Sequence, residues 1–454
     1  MTSRPTASAA PGRARPGAGA APSSDAGAAL PTLLFAGVAD DLTGGIELAS
    51  LMVRGGVAAR LLTARGTTAD IGDAPATVIG LKVRVAPKAS AVAAVRRALA
   101  VLAPRSPRQI FQKYCATFDS TPRGNIGPIA DVLMAATGAP FTAFCPAFPE
   151  VDRTVYAGHL FAIDQLISRS PKRHDPLTPM REPDLVRVLA AQTAETVGLI
   201  RHQVLAAGPE AVAAKVAALT AAGVRYAISD AVDEADLACL AAASVDWRLM
   251  TGGSSVAVYY PDLWRARGDL AGFAPPAPLP RVEGRAAVIA GSCAERTAAQ
   301  LAAFAETGRP VIHLEAAALV DPAQAAAATD AALAAAIAVL PSGPVAVATT
   351  ADPAAVAAVQ ARAGVKRTAA AIEQALGRIA AGLAQAGVTR FVIAGGETSG
   401  AVLDALGVRA LEVGSFEAPG LSRAVSTGPT PISLHLKSGK LGPVDMFARA
   451  LAEG

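Results

Sequence analysis

From Thr32 onward, short apolar runs alternate with longer runs that carry apolar residues at helical spacing. The segments Thr32–Val38, Ala59–Thr63, Ala76–Leu81, Gln109–Tyr114 and Phe141–Phe144 read as buried strands. Between them Glu47–Arg54, entered through a Gly44-Gly45 turn, Ala89–Leu102 and Ile129–Thr137 read as helices. The pattern resumes through Val197–Ile200, Tyr226–Asp230 and Arg248–Met250. A second series runs from strand Ala286–Ala290 through helix Ala294–Thr307, strands Val311–Leu314 and Val345–Thr349, and helix Ala369–Ala386, to the apolar run Arg390–Ala394. Strands alternating with helices predict parallel sheets of the α/β class.

Two stretches break the alternation. Pro146–Pro183 is rich in Pro, Asp, His and Arg, with a short helix expected near Leu160–Ser168. An irregular segment of that length inside a compact domain is usually functional. Phe273–Arg281 contains Pro275, Pro276, Pro278 and Pro280 and reads as a linker. The expected plan is therefore a tail at 1–31, a lobe at 32–272, a linker at 273–284 and a lobe at 285–454. The fold class is α/β: two α/β lobes with mostly parallel sheets and an active-site cleft between them.

Composition narrows the function. Of 454 residues 52% are hydrophobic but only 4% aromatic, so helices pack largely on alanine. The net charge of +4 is spread out, with no basic stripe interleaved with aromatics, which argues against nucleic acid as a partner. No apolar run of membrane-spanning length is free of charges or breakers, which argues against a membrane span. Cys115, Cys145, Cys239 and Cys293 form no C-x-x-C pair and suit free thiols in a reducing cytoplasm. Residues 1–31 lack the apolar core of a secretory signal and read as a disordered tail, though their basic, serine-containing composition overlaps that of a transit sequence.

The sequence Ala394-Gly395-Gly396-Glu397-Thr398-Ser399-Gly400 follows an apolar run and opens a helical pattern. Paired glycines let a backbone approach a phosphate, and the helix start aims free N–H groups at it. Asp40-Asp41-Leu42-Thr43-Gly44-Gly45 follows the first strand, where open α/β sheets place ligands. Its carboxylates suit a hydroxyl or a hydrated Mg²⁺; equally, one caps a helix and the other is solvated. Lys113 to Asn125 gathers Lys113, Asp119, Ser120, Thr121 and Arg123 behind another strand, suiting a carboxylate and sugar hydroxyls, or a polar turn. His174-Asp175 lies in a proline-stiffened loop that suits a substrate lid or a structural loop. Ser292 suits a helix N-cap or a phosphate contact, and Leu436–Gly442 a glycine-punctuated binding loop or a surface turn. The chain lacks G-x-x-x-x-G-K-[ST], G-x-G-x-x-G and G-x-S-x-G.

These motifs together resemble the four-carbon acid sugar kinase family. The likeness rests on "ADDLTGGIELA" (39–49), "KYCATFDSTPRGNIGP" (113–128), "FCPAFPEVDRTVYAGHLF" (144–161), "HDPLTPM" (174–180), "TGGSS" (251–255), "GSCAERT" (291–297), "GGETSG" (395–400) and "LKSGKLG" (436–442). "KYCATFDST" is similar to the branch acting on 3-oxo-tetronate, whereas Arg123 resembles the threonate and erythronate pattern. Lys440 and Leu441 depart from the family's usual Asn and Phe.

The resemblance implies an acid-sugar-binding domain at 32–272, a nucleotide-binding domain at 285–454, and phosphorylation of a terminal 4-hydroxyl with ATP and Mg²⁺. It implies nucleotide contacts at Ser292, Gly395, Gly396, Glu397, Thr398 and Gly439, and substrate contacts at Asp40, Lys113, Asp119, Ser120 and Arg123. Asp41 is expected to be the base, and the assembly a cytoplasmic enzyme, possible as a homodimer. The other readings are a D-threonate or D-erythronate kinase, a non-catalytic sugar-acid or nucleotide sensor, and a metal-dependent lyase or hydrolase.

Overall fold

The computed structural model describes residues 1–2, 32–175, 177–349, 353–418 and 421–453. Beyond its first two residues, the expected tail lies outside the described residues. Strands of the first half are β1 (Phe35–Ala39), β2 (Ala59–Leu62), β3 (Ala76–Gly80), β4 (Gln109–Lys113), β5 (Thr142–Cys145), β6 (Arg153–Tyr156), β7 (His159–Ala162), β8 (Gln165–Leu166), β9 (Val197–Ile200), β10 (Tyr226–Ser229) and β11 (Leu249–Gly252). Those of the second half are β12 (Arg285–Ala290), β13 (Val311–Leu314), β14 (Val345–Thr349), β15 (Val388–Ala394), β16 (Ala410–Val413), β17 (Leu421–Ser426) and β18 (Ser433–Lys437).

Continuous apolar strands such as β1 and β14, buried at every position, are what a sheet covered on both faces requires. Among the described residues fifteen strands form one sheet, in the order β13-β14-β12-β15-β18-β17-β16-β2-β3-β1-β4-β11-β5-β10-β9. Pairing in that sheet is parallel except at β18–β17, β17–β16 and β16–β2, which are antiparallel. The two expected lobes thus share one sheet, sewn by β2 and β16. Across that seam Arg60 Nη2 lies 3.4 Å from Glu412 Oε1, and Arg409 Nη2 lies 2.7 Å from Asp70 Oδ2. Thr63 Oγ1 donates to the Val408 carbonyl at 2.9 Å.

The expected helix at Leu160–Ser168 is replaced by a separate antiparallel sheet, β6-β7-β8, and a short 3₁₀ turn at Ile167–Arg169. The physical reason is the alternating burial along β7 and a hairpin turn at Ala157-Gly158 with both φ positive. Asp230 accepts both turn N–H groups, at 2.9 and 2.8 Å. Residues 273–283 carry neither helix nor strand, as the prolines suggest.

The window Ala325–Ser342 is long and apolar enough by composition to cross a membrane. Most of it is helix Ala325–Val339, which packs against helix Val365–Gln385. It turns Ala332 and Ala336 inward, and its Asp330 meets Arg378 at 2.6 Å.

Candidate active site

Five strands of the first half end level with one another. Ala39 lies opposite Gly80 and Lys113, Lys113 opposite Gly252, and Gly252 opposite Cys145. The residues that follow them form an acceptor cluster. Helix Leu42–Arg54 starts at once after Asp41, so the Gly44-Gly45 turn expected before a helix at Glu47 does not form. Asp41 is the N-cap: its Oδ1 accepts the Gly44 N–H at 2.6 Å. Gly44 is small because of crowding, since a Cβ there would meet Asp41 Oδ1 at 2.7 Å and Lys113 Nζ at 3.0 Å.

Asp40 is buried rather than solvated. Its two oxygens accept from Arg84 Nη2 and Nε, both at 2.9 Å, and Arg84 Nη2 also lies 2.9 Å from Asp41 Oδ2. Burial pushes the Asp40 carboxyl above the usual range, and the Arg84 guanidinium opposes it. Lys113 is 4% exposed; its Nζ donates to the Tyr114 carbonyl at 3.0 Å and lies 4.0 Å from Glu47 Oε1. Glu47 in turn accepts from Ser254 Oγ of the "TGGSS" turn.

The loop behind β4 is less uniform than its sequence suggests. Asp119 Oδ1 accepts from Thr117 Oγ1 at 2.6 Å and lies 2.7 Å from Lys172 Nζ. Lys172 also meets Asp175 at 2.9 Å, tying the proline-rich loop to this cluster, while His174 is exposed. Ser120 Oγ is taken by Gln192 Nε2 at 2.8 Å. The Arg123 side chain is exposed on the same loop, and Lys172 is the cation held against Asp119.

A second cluster sits where β12, β15 and β18 end level, with Ala394 opposite both Ala290 and Lys437. Gly395 has φ 124° and caps helix Gly396–Ala405. Around it the packing tolerates no side chains. A Cβ at Gly291 would come 2.2 Å from Thr398 Oγ1, and one at Gly439 2.0 Å from Ser292 Oγ. Ser292 is not the N-cap of its helix, which begins at Glu295 behind Ala294. Ser292, Gly395, Gly396, Thr398 and Gly439 therefore lie together, with Glu397 in the first helical turn.

The two clusters pack directly against each other. A Cβ at Gly396 would lie 3.1 Å from Thr43 Oγ1 and 3.8 Å from Asp41 Oδ2. Thr43 Oγ1 is buried and has no hydrogen-bond partner among the described residues. Glu397 Oε2 lies 3.3 Å from Lys82 Nζ, and Lys82 also bonds Glu373 of helix Val365–Gln385. Two helix starts thus converge, one bearing a carboxylate and the other a glycine-walled anion cradle.

The turn suits a polyphosphate, because its glycines let the backbone approach and Ser399 is the first residue to bond back into the helix, to the Gly395 carbonyl, which leaves the Gly396, Glu397 and Thr398 N–H groups at the helix start. Among the described residues no group of three His, Cys, Asp or Glu side chains is placed to hold a metal.

A sugar-binding N-terminal domain model matches residues 35–260, and a nucleotide-binding C-terminal domain model matches residues 287–447. A 3-oxo-tetronate kinase of Cupriavidus necator is 45% identical over 92% of this chain and 96% of its own length. One of Pseudomonas fluorescens is 45% identical over 93% and 97%. The chain belongs to the four-carbon acid sugar kinase family. Two solved structures share its fold. A Salmonella typhimurium protein is 35% identical, with TM-score 0.78 over 92% of this chain and 99% of that one. A Haemophilus influenzae protein is 34% identical, with TM-score 0.72 over the same shares.

In this kinase the reading of sequence missed Lys82, Arg84, Glu47 and Lys172. Glu47 and Ser254 stood inside recognised motifs without a role. Arg84 contacts residues 44 positions away, which no local pattern reports.

Proposed function

We propose that this chain is an ATP-dependent kinase acting on the 4-hydroxyl of 3-oxo-tetronate. The observation that carries the proposal is the approach of Gly396 to Asp41 and Thr43. It sets an anion cradle against a carboxylate, as in-line phosphoryl transfer requires. The names of the relatives support the substrate.

In this reading residues 32–272 bind the acid sugar, 273–284 link, and 285–454 bind ATP. Ser292, Gly395, Gly396, Glu397, Thr398 and Gly439 contact the nucleotide, and Thr398 faces the phosphates. Mg²⁺ entering with ATP would supply neutralisation of the phosphoryl charge. Asp41 accepts the proton of the 4-hydroxyl as the oxygen–phosphorus bond forms. The bond to ADP breaks with its electron pair leaving on ADP. Arg84, held by Asp40, keeps Asp41 oriented, with Asp40 behind it on the substrate side. Lys113 takes the substrate carboxylate, with Asp119, Ser120 and Arg123 along the same loop. Packing of the two clusters excludes water from the transfer. A cytoplasmic homodimer is the assembly we expect.

The test is ADP release from purified protein with ATP, Mg²⁺ and a panel of 3-oxo-tetronate, D-threonate and D-erythronate. Turnover of 3-oxo-tetronate above the other two is expected. Turnover of threonate or erythronate alone would overturn the substrate, and tight binding without ADP would make the protein a sensor. Asp41→Asn should lower kcat by about 10²-fold or more, as removal of a general base does.

A further inference from the structure

Leu81-Lys82-Val83-Arg84 leaves β3 in alternating register. Leu81 and Val83 are buried at 5% and 4% exposure, while Lys82 and Arg84 point to polar partners. The two cations serve different clusters. Arg84 holds Asp40 and Asp41 on the acceptor side. Lys82 reaches Glu397 and Glu373 on the donor side. Its side chain is 51% exposed and therefore reachable from solvent, and Glu397, in the first turn of helix Gly396–Ala405, holds its ammonium beside the start of that helix. Burial works to lower the Lys82 pKa, but Glu373 and Glu397 outweigh it and raise the value, so the group stays an ammonium. The two glutamates account for a cation here in the free protein; a γ-phosphoryl group brought between the Gly396 turn and Asp41 offers the same cation a second anionic partner.

We propose that Lys82 is a catalytic residue that moves from its two glutamates onto the γ-phosphoryl oxygens during transfer. The inference rests on the reading that the Gly395–Thr398 turn holds ATP phosphates. In the step the 4-oxygen bonds to phosphorus, the phosphorus–oxygen bond to ADP breaks, and the hydroxyl proton goes to Asp41. Lys82 loses no proton; it stabilises charge on the equatorial oxygens. Glu373 and Glu397 hold it within reach before ATP arrives, and they prevent an unpaired ammonium from capturing other anions.

Steady-state kinetics, ADP titration calorimetry and thermal melting of Lys82→Met, Lys82→Arg and Glu373→Gln test this. Lys82→Met should lower kcat by about 10²–10³-fold, the range seen when one transition-state donor is removed. Its ADP affinity should stay within about threefold of the parent protein, because ADP lacks the γ-phosphoryl group. Lys82→Arg should restore most of the lost kcat, since the cation is kept. Retention of kcat by Lys82→Met within about threefold would overturn the proposal. So would equal losses of kcat and melting temperature in Lys82→Met and Glu373→Gln, the signature of a strut. The underlying reading is checked separately by Gly396→Val. If that change leaves ADP affinity intact, the phosphate turn itself is misassigned, whatever Lys82 does.

Discussion

Lys437 closes β18 with no exposed surface. Its ammonium donates to Thr297 Oγ1 at 3.0 Å, Gln300 Oε1 at 2.6 Å and the Gly439 carbonyl at 3.3 Å, all neutral acceptors. Burial pushes its pKa down to about 8, with Arg296 adding to the effect. The same residues pin the loop that Gly439 presses against Ser292: Gln300 Nε2 donates to the Leu441 and Pro443 carbonyls. Lys437→Met should therefore raise KM for ATP about tenfold, as loss of a charge-assisted hydrogen bond does, with a smaller change in kcat. The linkage sign is also fixed. Between pH 8 and the ordinary lysine value of 10.5 the unfolded chain binds more protons than the folded one. Stability of the parent protein should thus rise relative to Lys437→Met over that window, as read from urea midpoints. The sequence showed a lysine before a glycine loop but not its burial. Depth is set by helix Glu295–Glu306 packing over the strand end, a contact some 140 positions away, as the Lys437–Thr297 bond records.

At the scale of elements, strand–helix alternation was readable because strands of a sheet covered on both faces are mostly apolar. Helix starts and hairpins were read less well. The helix after β1 begins at Leu42 because Asp41 caps it, whereas its glycines suggested a turn. The glycines answer to close packing, which sequence alone does not separate from backbone freedom. Asp175 ties the described residues on its two sides together: it accepts the Leu177 and Thr178 N–H groups and meets Lys172. Burial tends to raise the Asp175 pKa, but those N–H groups and Lys172 outweigh it, bringing the value to about 2. The stability this confers is fully present above the ordinary value of 3.8 and is lost as pH falls through about 2. Asp175→Asn should cost about 1–2 kcal/mol at pH 7, discounted for partial exposure. The gap between the two proteins in denaturant midpoints should close progressively below pH 4. A gap that stays constant down to pH 2 would remove Asp175 as the pin of this loop.

At the scale of the molecule, the two strand series and the prolines between them at 273–281 were legible in the sequence. The shared sheet was not. Pairing of β2 with β16 joins residues some 350 positions apart, and edge strands of either half look alike in sequence. The site depends on that seam. The right-handed twist of roughly 20–25° per strand pair turns the second set of strand ends relative to the first across the intervening strands. Helix Leu42–Arg54 lies along the seam: the Ser50 carbonyl accepts the Phe416 N–H at 3.1 Å, and Arg54 stacks over the Phe416 ring at 4.8 Å.

The sewn edge also decides how freely the halves can be exchanged. A substrate half borrowed from a relative with another sugar preference brings its own β2, and that strand must accept this chain's β16. Arg60, Thr63 and Asp70 are the positions that recognise it, through Glu412, Val408 and Arg409. A chimera cut at the linker but carrying those three residues should run as a single soluble species in size-exclusion chromatography. One that lacks them should leave two unpaired strand edges and aggregate. Recombination in this family is then constrained less by the proline linker, where the chain is easiest to cut, than by a hem between two strands far from it.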